Sequence, residues 1–136
     1  MKYLLDTCVV SDFVKYETHT VEKMKATAPA LLAISSVTLM EIRFGLALNP
    51  NLAKKLQPIM KAFIATINIV PFGDEEAEEA AHLRAFLKLK GKTIGNFDTL
   101  IAGTALAHQL ILVTSNTSEF SRVPNLVSED WRMKVN

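Results

Sequence analysis

Five residues with oxygen-bearing side chains stand at the ends of apolar segments or on their faces. Asp6 follows a short apolar run, Glu41 falls on one face of an apolar helix, and Asp98 opens another. Asn116 and Glu119 follow the apolar run LILVT, into which that second helix leads. Oxygen donors that converge on one edge of a sheet suit a hard cation such as Mg²⁺ or Mn²⁺. Such an ion orients and polarises a phosphate and activates water to attack it.

Two of these acids also have a purely structural explanation. Asp98, in a first helical turn, faces the positive end of the helix dipole and would stabilise the helix there. Residues 38–41 match a capping box, in which Glu41 folds back on the start of its own helix. Against this, an ionised carboxylate on a buried helix face is costly unless it is paired or binds a metal. The residues alone leave both alternatives open.

Apolar segments of strand length alternate with helical segments, which predicts an α/β fold with a mostly parallel sheet. Strands are predicted at residues 2–5, 31–34 and 68–71 and in LILVT, and an edge strand is predicted to end the segment 122–126. Open sheets of this class bind their ligands beyond the carboxyl ends of the strands. The side chain of Asp6 is expected at that edge.

The helices follow from apolar spacing and from helix-end signals. Asp74 is expected to cap one helix, and Gly91 to end it in the left-handed conformation. Asn96 is expected to cap the helix that carries Asp98, and an apolar stripe marks a further helix at residues 52–63. The helix at 37–48 is expected to bury its stripe, which consists of Val37, Met40, Phe44 and Leu48.

The composition is typical of a globular protein. The 136 residues, 49% hydrophobic and 21% charged, predict one domain spanning residues 1–136. No apolar run approaches the roughly 18 residues that a membrane span needs, so no membrane association is expected. The single cysteine, Cys8, excludes an internal disulfide and fits the reducing cytosol, and we expect a cytoplasmic protein. A net charge of +1 argues neither for nor against a nucleic-acid ligand.

Several other kinds of functional site lack their sequence signals. The chain contains no phosphate-binding GxxxxGK[ST] or GxGxxG motif and no Cys/His spacing suited to zinc. His108 is expected to be a core or helix-end residue rather than a base. A receiver-like signalling module is an alternative with a similar fold, but it needs an acceptor aspartate after the third strand, where Pro71 and Phe72 stand. A noncatalytic binding module with an acidic metal pocket is a second alternative.

Three segments resemble PIN-domain ribonucleases, and more closely the VapC toxins of bacterial toxin–antitoxin pairs. They are LLDTCVVSDF, SSVTLMEIRFG and GKTIGNFDTLIAGTALAHQLILVTSNTSEFSRVPNLVSEDW. The resemblance implies a PIN-like domain with a central parallel sheet of four to five strands flanked by helices. It implies Mg²⁺- or Mn²⁺-dependent cleavage of RNA, generally tRNA or ribosomal RNA. It also implies a cognate VapB-type antitoxin that blocks the site.

The same resemblance assigns roles to individual residues. Asp6, Glu41 and Asp98 match the metal-holding acids, and Glu119 is added to them as a catalytic group. Asn116 stands where many PIN domains have a fourth aspartate, so Asn116 and Glu119 are assigned to a second metal or to positioning water. Cys8 replaces the usual asparagine after Asp-Thr. Apart from the resemblance, four cations close to Glu41 or Asp98 in the chain are candidates for RNA binding, with ordinary solvated surface charge as the alternative: Arg43, Lys88, Lys90 and Lys92.

The apolar stripe of the 52–63 helix predicts assembly. Together with the preceding helix, it offers more apolar surface than one sheet face covers. A homodimer is therefore expected, with a groove that takes an amphipathic antitoxin segment. The stripe consists of Leu52, Leu56, Ile59, Met60 and Phe63.

Overall fold

Five parallel strands form the centre of the chain in a computed structural model, which describes residues 1–132. They lie in the order β3-β2-β1-β4-β5, so the first strand occupies the middle of the sheet. The predicted α/β class and strand number are confirmed, whereas a single domain over residues 1–136 stays a prediction. The strands are β1 Tyr3–Leu5, β2 Leu32–Ser35, β3 Asn68–Val70, β4 Ile111–Val113 and β5 Ser128–Glu129.

Helices connect successive strands and pack on the sheet. Within residues 1–132, no helix is both long enough and apolar enough to cross a membrane. Most predicted elements agree with the structure to within two residues at each end. The helices are α1 Thr7–Val14, α2 Thr18–Lys25, α3 Ser36–Leu48, α4 Pro50–Ile64, α5 Asp74–Leu89, α6 Asn96–His108 and α7 Thr117–Phe120.

Two clusters of buried apolar side chains lie on opposite faces of the sheet. Adjacent strand residues point to opposite faces, and Leu4 belongs to one cluster while Leu5 belongs to the other. The cluster around Leu4 contains Ile101 of α6 and Leu83 of α5. The cluster around Leu5 contains Met60 of α4. The α5–α6 pair therefore covers one face, and the helices that precede β3 cover the other.

Two predicted helix caps are wrong by one residue. The N-cap of α6 is Gly95 rather than Asn96, and the N-cap of α5 is Gly73 rather than Asp74. At α5, the side chain of Glu76 replaces the expected cap by accepting a hydrogen bond from the Gly73 N–H at 2.8 Å. The left-handed conformation expected at Gly91 is confirmed, with φ of 67°.

The predicted edge strand is also displaced. No strand occupies residues 122–126 in the part of the chain that the structure describes, and β5 begins only at Ser128. Asn125 adopts φ of 66°, which breaks the extended conformation that a strand needs. Val123 is nevertheless buried in the core, and this explains the apolar signal in that segment.

Of the apolar stripe expected to be buried, the helix α3 buries only Val37. Met40, Phe44 and Leu48 are 42%, 60% and 70% exposed. The helix packs through Val37 together with Thr38 and Ile42, which lie outside that stripe. The buried face of α3 is therefore rotated by about one residue from the expected face. Met40, Phe44 and Leu48 are left as an exposed apolar surface, and Glu41 lies next to the buried Ile42.

The position of α6 is set by close contact with α5. A Cβ atom added at Gly103 would lie 2.8 Å from the backbone of Ala80, so only glycine allows this approach. At the end of α6, His108 Nε2 lies 2.6 Å from Glu76 Oε2, which confirms the expectation of a helix-end residue. These contacts fix the helix that carries Asp98.

Candidate active site

Asp6 is held rigidly at the carboxyl end of the central strand β1. It is the N-cap of α1, and its Oδ1 accepts a hydrogen bond from the Thr7 N–H at 2.8 Å. Its Oδ2 accepts a hydrogen bond from the Thr114 hydroxyl, also at 2.8 Å. Thr114 is fully buried just after β4, and its Oγ1 accepts the N–H of Asn116 at 3.0 Å. Both carboxylate oxygens are thus oriented by the ends of two neighbouring strands.

Glu41 points from α3 toward the same strand end. Its Oε1 accepts a hydrogen bond from the Thr7 hydroxyl at 2.8 Å. The capping-box explanation is wrong, because Ser35 is the N-cap of α3 and its Oγ accepts the N–H of Val37 at 3.0 Å. Thr7 therefore links Glu41 to Asp6, since its backbone N–H binds one acid and its hydroxyl binds the other.

Asp98 lies in the first turn of α6 and faces the other acids. Burial raises the pKa of its carboxyl to about 7, and the negative charges of Asp6, Glu119 and Glu41 contribute in that order. Each of these three side chains must therefore lie close enough to repel a charge on Asp98. Asp6, Glu41, Asp98 and Glu119 form one group, which we call the acid cluster.

Glu119 connects the segment after β4 to the start of α6. Its Oε1 accepts the backbone N–H of Gly95 at 2.8 Å, and its Oε2 accepts the side-chain amide of Asn116. The Gly95 N–H lowers the pKa of the Glu119 carboxyl. Asn116 thus acts on the acid cluster through its contact with Glu119.

Cys8 touches the acid cluster at the position where the family resemblance leads one to expect asparagine. Its Sγ lies 3.6 Å from Asp6 Oδ2, and the Ser115 hydroxyl donates to that sulfur at 3.4 Å. Burial, followed by the charge of Asp6, raises the pKa of the thiol. The side chain is therefore a neutral neighbour of the acid.

The acid cluster has the donor chemistry of a hard-cation site. Among residues 1–132, none of its four carboxylates lies in a salt bridge with a lysine, arginine or histidine. Burial and then the negative charges of its neighbours raise the pKa of Asp98, and Arg122 is near enough to help lower the pKa of Glu119, so negative charge predominates in the acid cluster. The set of oxygen donors therefore fits Mg²⁺ or Mn²⁺.

A second group of acidic ligands lies elsewhere. Glu75, Glu76 and His108 bring ligand atoms within 4.8 Å of one another, and it is the only such triad that the structure shows in residues 1–132. The ligand atoms of the acid cluster are spread more widely than those of this triad. Both carboxylate oxygens of Glu76 already bind partners, Gly73 N–H and His108, so this triad is explained by the packing of α5 on α6.

The four predicted RNA-binding cations are all exposed but are not all together. Lys88 lines a cavity with Arg84, a residue that the sequence analysis passed over although it precedes Lys88 by one helical turn. The Lys90 ammonium lies 5.7 Å from the centre of the Phe86 ring. Arg43 lines a depression between α3 and α4, whereas Glu41 lines a different one. Arg43 therefore does not share the face of Glu41.

The fold and the acid cluster together define a class: a parallel α/β domain with carboxylates gathered beyond its central strands. The PIN domain family matches residues 3–126, which is most of the chain. This protein belongs to the PIN domain family.

Known proteins match this chain over most of its length, both in sequence and in structure. The tRNA(fMet)-specific endonuclease VapC of Shigella flexneri is 34% identical over 131 residues, which are 96% of this chain and 98% of that protein. Ribonuclease VapC2 of Rickettsia felis is 37% identical over 100 residues, 74% of each chain. A crystal structure of VapBC2 from Rickettsia felis bound to a promoter DNA fragment contains a chain with TM-score 0.88 and 32% identity. The match covers 96% of this chain and 99% of that one.

Proposed function

We propose that this protein is a Mg²⁺- or Mn²⁺-dependent endoribonuclease and the toxin of a toxin–antitoxin pair. The observation that carries the proposal is the convergence, in a PIN domain, of four carboxylates, none of which forms a salt bridge among the described residues. Relatives of matching length are named as VapC ribonucleases, and one is specific for tRNA(fMet). The proposed substrate is therefore a phosphodiester bond in tRNA or ribosomal RNA, and the proposed site of action is the cytoplasm.

In this proposal Asp6, Glu41 and Asp98 hold the cation. When bound, the ion supplies positive charge that stabilises the negative charge on a phosphate under attack by water. Thr7 and Thr114 keep the carboxylates of Asp6 and Glu41 fixed through hydrogen bonds of 2.8 Å. Pre-set charges of this kind need little reorganisation during the reaction.

Glu119 has a different proposed role from the three ligands. Its bonds to Gly95 and Asn116 occupy both carboxylate oxygens, so it positions the first turn of α6. Through that turn it sets the direction of Asp98. Asn116 orients Glu119, and we keep the positioning of water or of a second ion as the proposed role of this pair. Cys8, a neutral neighbour of Asp6, serves to pack that acid rather than to bind the ion.

The function predicts RNA cleavage that depends on a divalent cation. Wild-type protein freed of antitoxin should cut tRNA or ribosomal RNA with Mg²⁺ or Mn²⁺, should lose that activity in EDTA, and should regain it when the metal is restored. The reason is that the acid cluster alone would repel the phosphate. Gel analysis of end-labelled RNA measures the cleavage.

A contaminating nuclease is excluded by a matched preparation. Asp6→Asn protein purified in parallel should leave the RNA intact under every condition. Cleavage by wild type that continues undiminished in EDTA would rule out the metal-dependent mechanism. Equal cleavage by both preparations would remove the support for a nuclease in this chain.

The proposed antitoxin site is the groove between α1, α3 and α4. A cavity of about 240 Å³ lies there, and its lining runs from Leu52, Leu56 and Met60 to Thr7 and Glu41. An amphipathic segment of the antitoxin would cover the apolar part, and an arginine or lysine on it would reach the carboxylates. Similar solved structures are complexes of VapB with VapC, which supports a VapB-type partner.

A homodimer is proposed through the exposed apolar surface of α3 and α4. Phe44 and Leu48 on α3 are 60% and 70% exposed, and a second copy would bury them. Light scattering at roughly tens of micromolar should report a dimer for wild type and a monomer for Phe44→Asp, whose fold is spared because the side chain is on the surface.

The control for the dimer is Leu89→Asp. Leu89 is 87% exposed at the end of α5, on the other side of the sheet, so this variant removes one exposed leucine elsewhere and should remain a dimer. A monomeric wild type, or an equal loss of dimer in the two variants, would count against this interface.

A further inference from the structure

A basic cavity lies between the end of α5 and the start of α6. It measures about 250 Å³, and Arg84, Lys88, Thr93, Asn96 and Thr99 contribute to its lining. We call it the α5–α6 cavity. Leu87 and Ile94 complete the lining, which is more polar than that of the groove beside α4, and Arg84 and Lys88 supply the positive charge that suits an anion.

The positive charge of the cavity has no counterion in the structure. Arg84 and Lys88 are exposed and one helical turn apart, and neither forms a salt bridge within the described residues. Residues 80–95 contain four lysines and arginines but no aspartate or glutamate. The acids of α5 are confined to its first two turns, so the helix is strongly polarised in charge. This polarity also complements the dipole of α5, and it is the cavity formed with α6 that presents Arg84 and Lys88 to one anion.

Backbone groups add to the attraction for an anion. The N-terminus of α6 forms one end of the cavity, and no side chain caps it among the residues that the structure describes. Its first N–H groups and the helix dipole favour negative charge. Arg122 supplies a further cation next to the cavity, because its Nη1 donates to the carbonyl oxygen of Thr93 at 3.0 Å.

The cavity lies immediately beside the acid cluster. Asn96 and Thr99 line it, and Asp98 stands between them in the same helical turn. Asp98 folds toward Gly95, where an added Cβ would come within 3.0 Å of its Oδ2. The carboxylates and the cations therefore flank the first turn of α6 on neighbouring faces.

We propose that the α5–α6 cavity binds a phosphodiester group of the RNA next to the one that is cut, with Arg84 and Lys88 as its main contacts. The inference rests on the proposed nuclease function. An acid cluster repels the RNA backbone on both sides of the scissile bond, so a nearby cationic pocket fixes which bond enters the site. Arg84 and Lys88 act on binding and register, and the chemistry stays with the acid cluster.

The test compares two double variants that remove the same charge. Arg84→Ala/Lys88→Ala empties the cavity of its cations, whereas Lys23→Ala/Lys25→Ala removes two exposed lysines from α2, which packs on the opposite sheet face. Affinity for a short single-stranded RNA that contains the cleavage site is measured by fluorescence anisotropy in an Asp98→Asn background. The cavity variant should bind about tenfold more weakly, while the α2 variant should match its parent.

The salt dependence of binding and the cleavage activity provide two further comparisons of the double variants. Loss of one phosphate contact should reduce the slope of log affinity against log salt by about 0.7 in the cavity variant alone. In the active background, the same substitutions should raise KM and change kcat little. Antitoxin binding and the melting temperature of both variants should stay at wild-type values, since all four side chains are exposed.

Replacing single phosphodiester groups of the RNA by an uncharged linkage identifies the phosphate that the α5–α6 cavity binds. Methylphosphonates are placed one at a time along the RNA. In the Asp98→Asn protein, the substitution at one position beside the cut should weaken binding. In the cavity variant, the substitution at that position should no longer change the affinity. An unchanged position profile, or equal losses in the two double variants, would overturn the cavity inference while leaving the nuclease in place. Wild type that neither binds nor cuts RNA would overturn both proposals.

Discussion

Asp98→Asn should cleave RNA at least about 100-fold more slowly than wild type while remaining folded. Substitutions that only disturb the partners of metal ligands cost about 10–100-fold, so loss of a proposed ligand should cost at least as much. Asparagine keeps the shape of the side chain and a polar group in the first turn of α6. The measurement is the initial rate of cleavage of the same RNA at saturating Mg²⁺.

The stability of the variant should move in the opposite direction from its activity. In EDTA at neutral pH, Asp98→Asn should melt at or above the wild-type temperature, because it removes a charge that burial disfavours and that Asp6, Glu119 and Glu41 repel. Wild type should gain stability with added Mg²⁺ or Mn²⁺ as the logarithm of occupancy. The variant should gain much less, since one of the three proposed ligands is neutral.

Asp74→Asn is the matched control for this experiment. Asp74 is an exposed carboxylate in the first turn of α5, far from the acid cluster in the fold. Its loss should cost roughly 0.3–1 kcal/mol through the helix dipole, and the metal response should stay that of wild type. If Asp98→Asn instead melts below wild type in EDTA and wild type ignores metal, Asp98 is a helix-end residue like Asp74 and the proposed site is wrong.

The sheet and two of its acids could be predicted because they depend on local signals. Short apolar runs with polar ends mark β1 and β4, and parallel strands bring their carboxyl ends to one edge. That rule places Asp6 and the start of α6 together without any knowledge of side-chain packing. The caps were harder, since a glycine N–H bound by a downstream glutamate leaves no side-chain signal at the cap itself.

Contacts between residues that are far apart in the chain could not be predicted from the sequence. Thr114 is 108 positions from Asp6 and falls at the end of an apolar run, where nothing distinguishes it from an ordinary strand residue. Met40, Phe44 and Leu48 have helical spacing, but spacing cannot say which of two apolar faces meets the sheet. Arg84 was missed because its partner surface, the start of α6, approaches only when Gly103 packs against Ala80.

The stability of the metal-free protein should fall as pH rises from about 4 to about 7. The folded pKa of Asp98 is about 7 and its ordinary value is 3.8, so in that range the folded state keeps a proton that the unfolded chain has lost. The unfolded state then binds fewer protons, and the free energy of unfolding decreases with pH. Above about pH 7 the carboxyl is ionised in both states and the decrease ends.

Other carboxyls act in the opposite sense but at lower pH. The pKa values of Glu17, Glu76 and Glu119 are lowered by hydrogen bonds from backbone N–H groups or neighbouring side chains, with 4.5 as their ordinary value. Their contributions to stability are present above about pH 4.5 and are lost as the pH falls through their folded values. The metal-free protein should therefore be most stable near pH 4 to 5, which is unusually acidic for a neutral protein.

Thermal melts of wild type and Asp98→Asn across pH 4 to 8 in EDTA isolate the effect of this one carboxyl. All other titratable groups are common to the two proteins, so the difference between their melting temperatures should grow by several degrees as the pH rises from about 4 to about 7 and then level off. Saturating Mg²⁺ should abolish most of the wild-type decrease, because an ion among the carboxylates favours the ionised form of Asp98. Parallel curves for the two proteins would mean that Asp98 titrates normally, and the acid cluster would then lack the mutual repulsion on which the metal site depends.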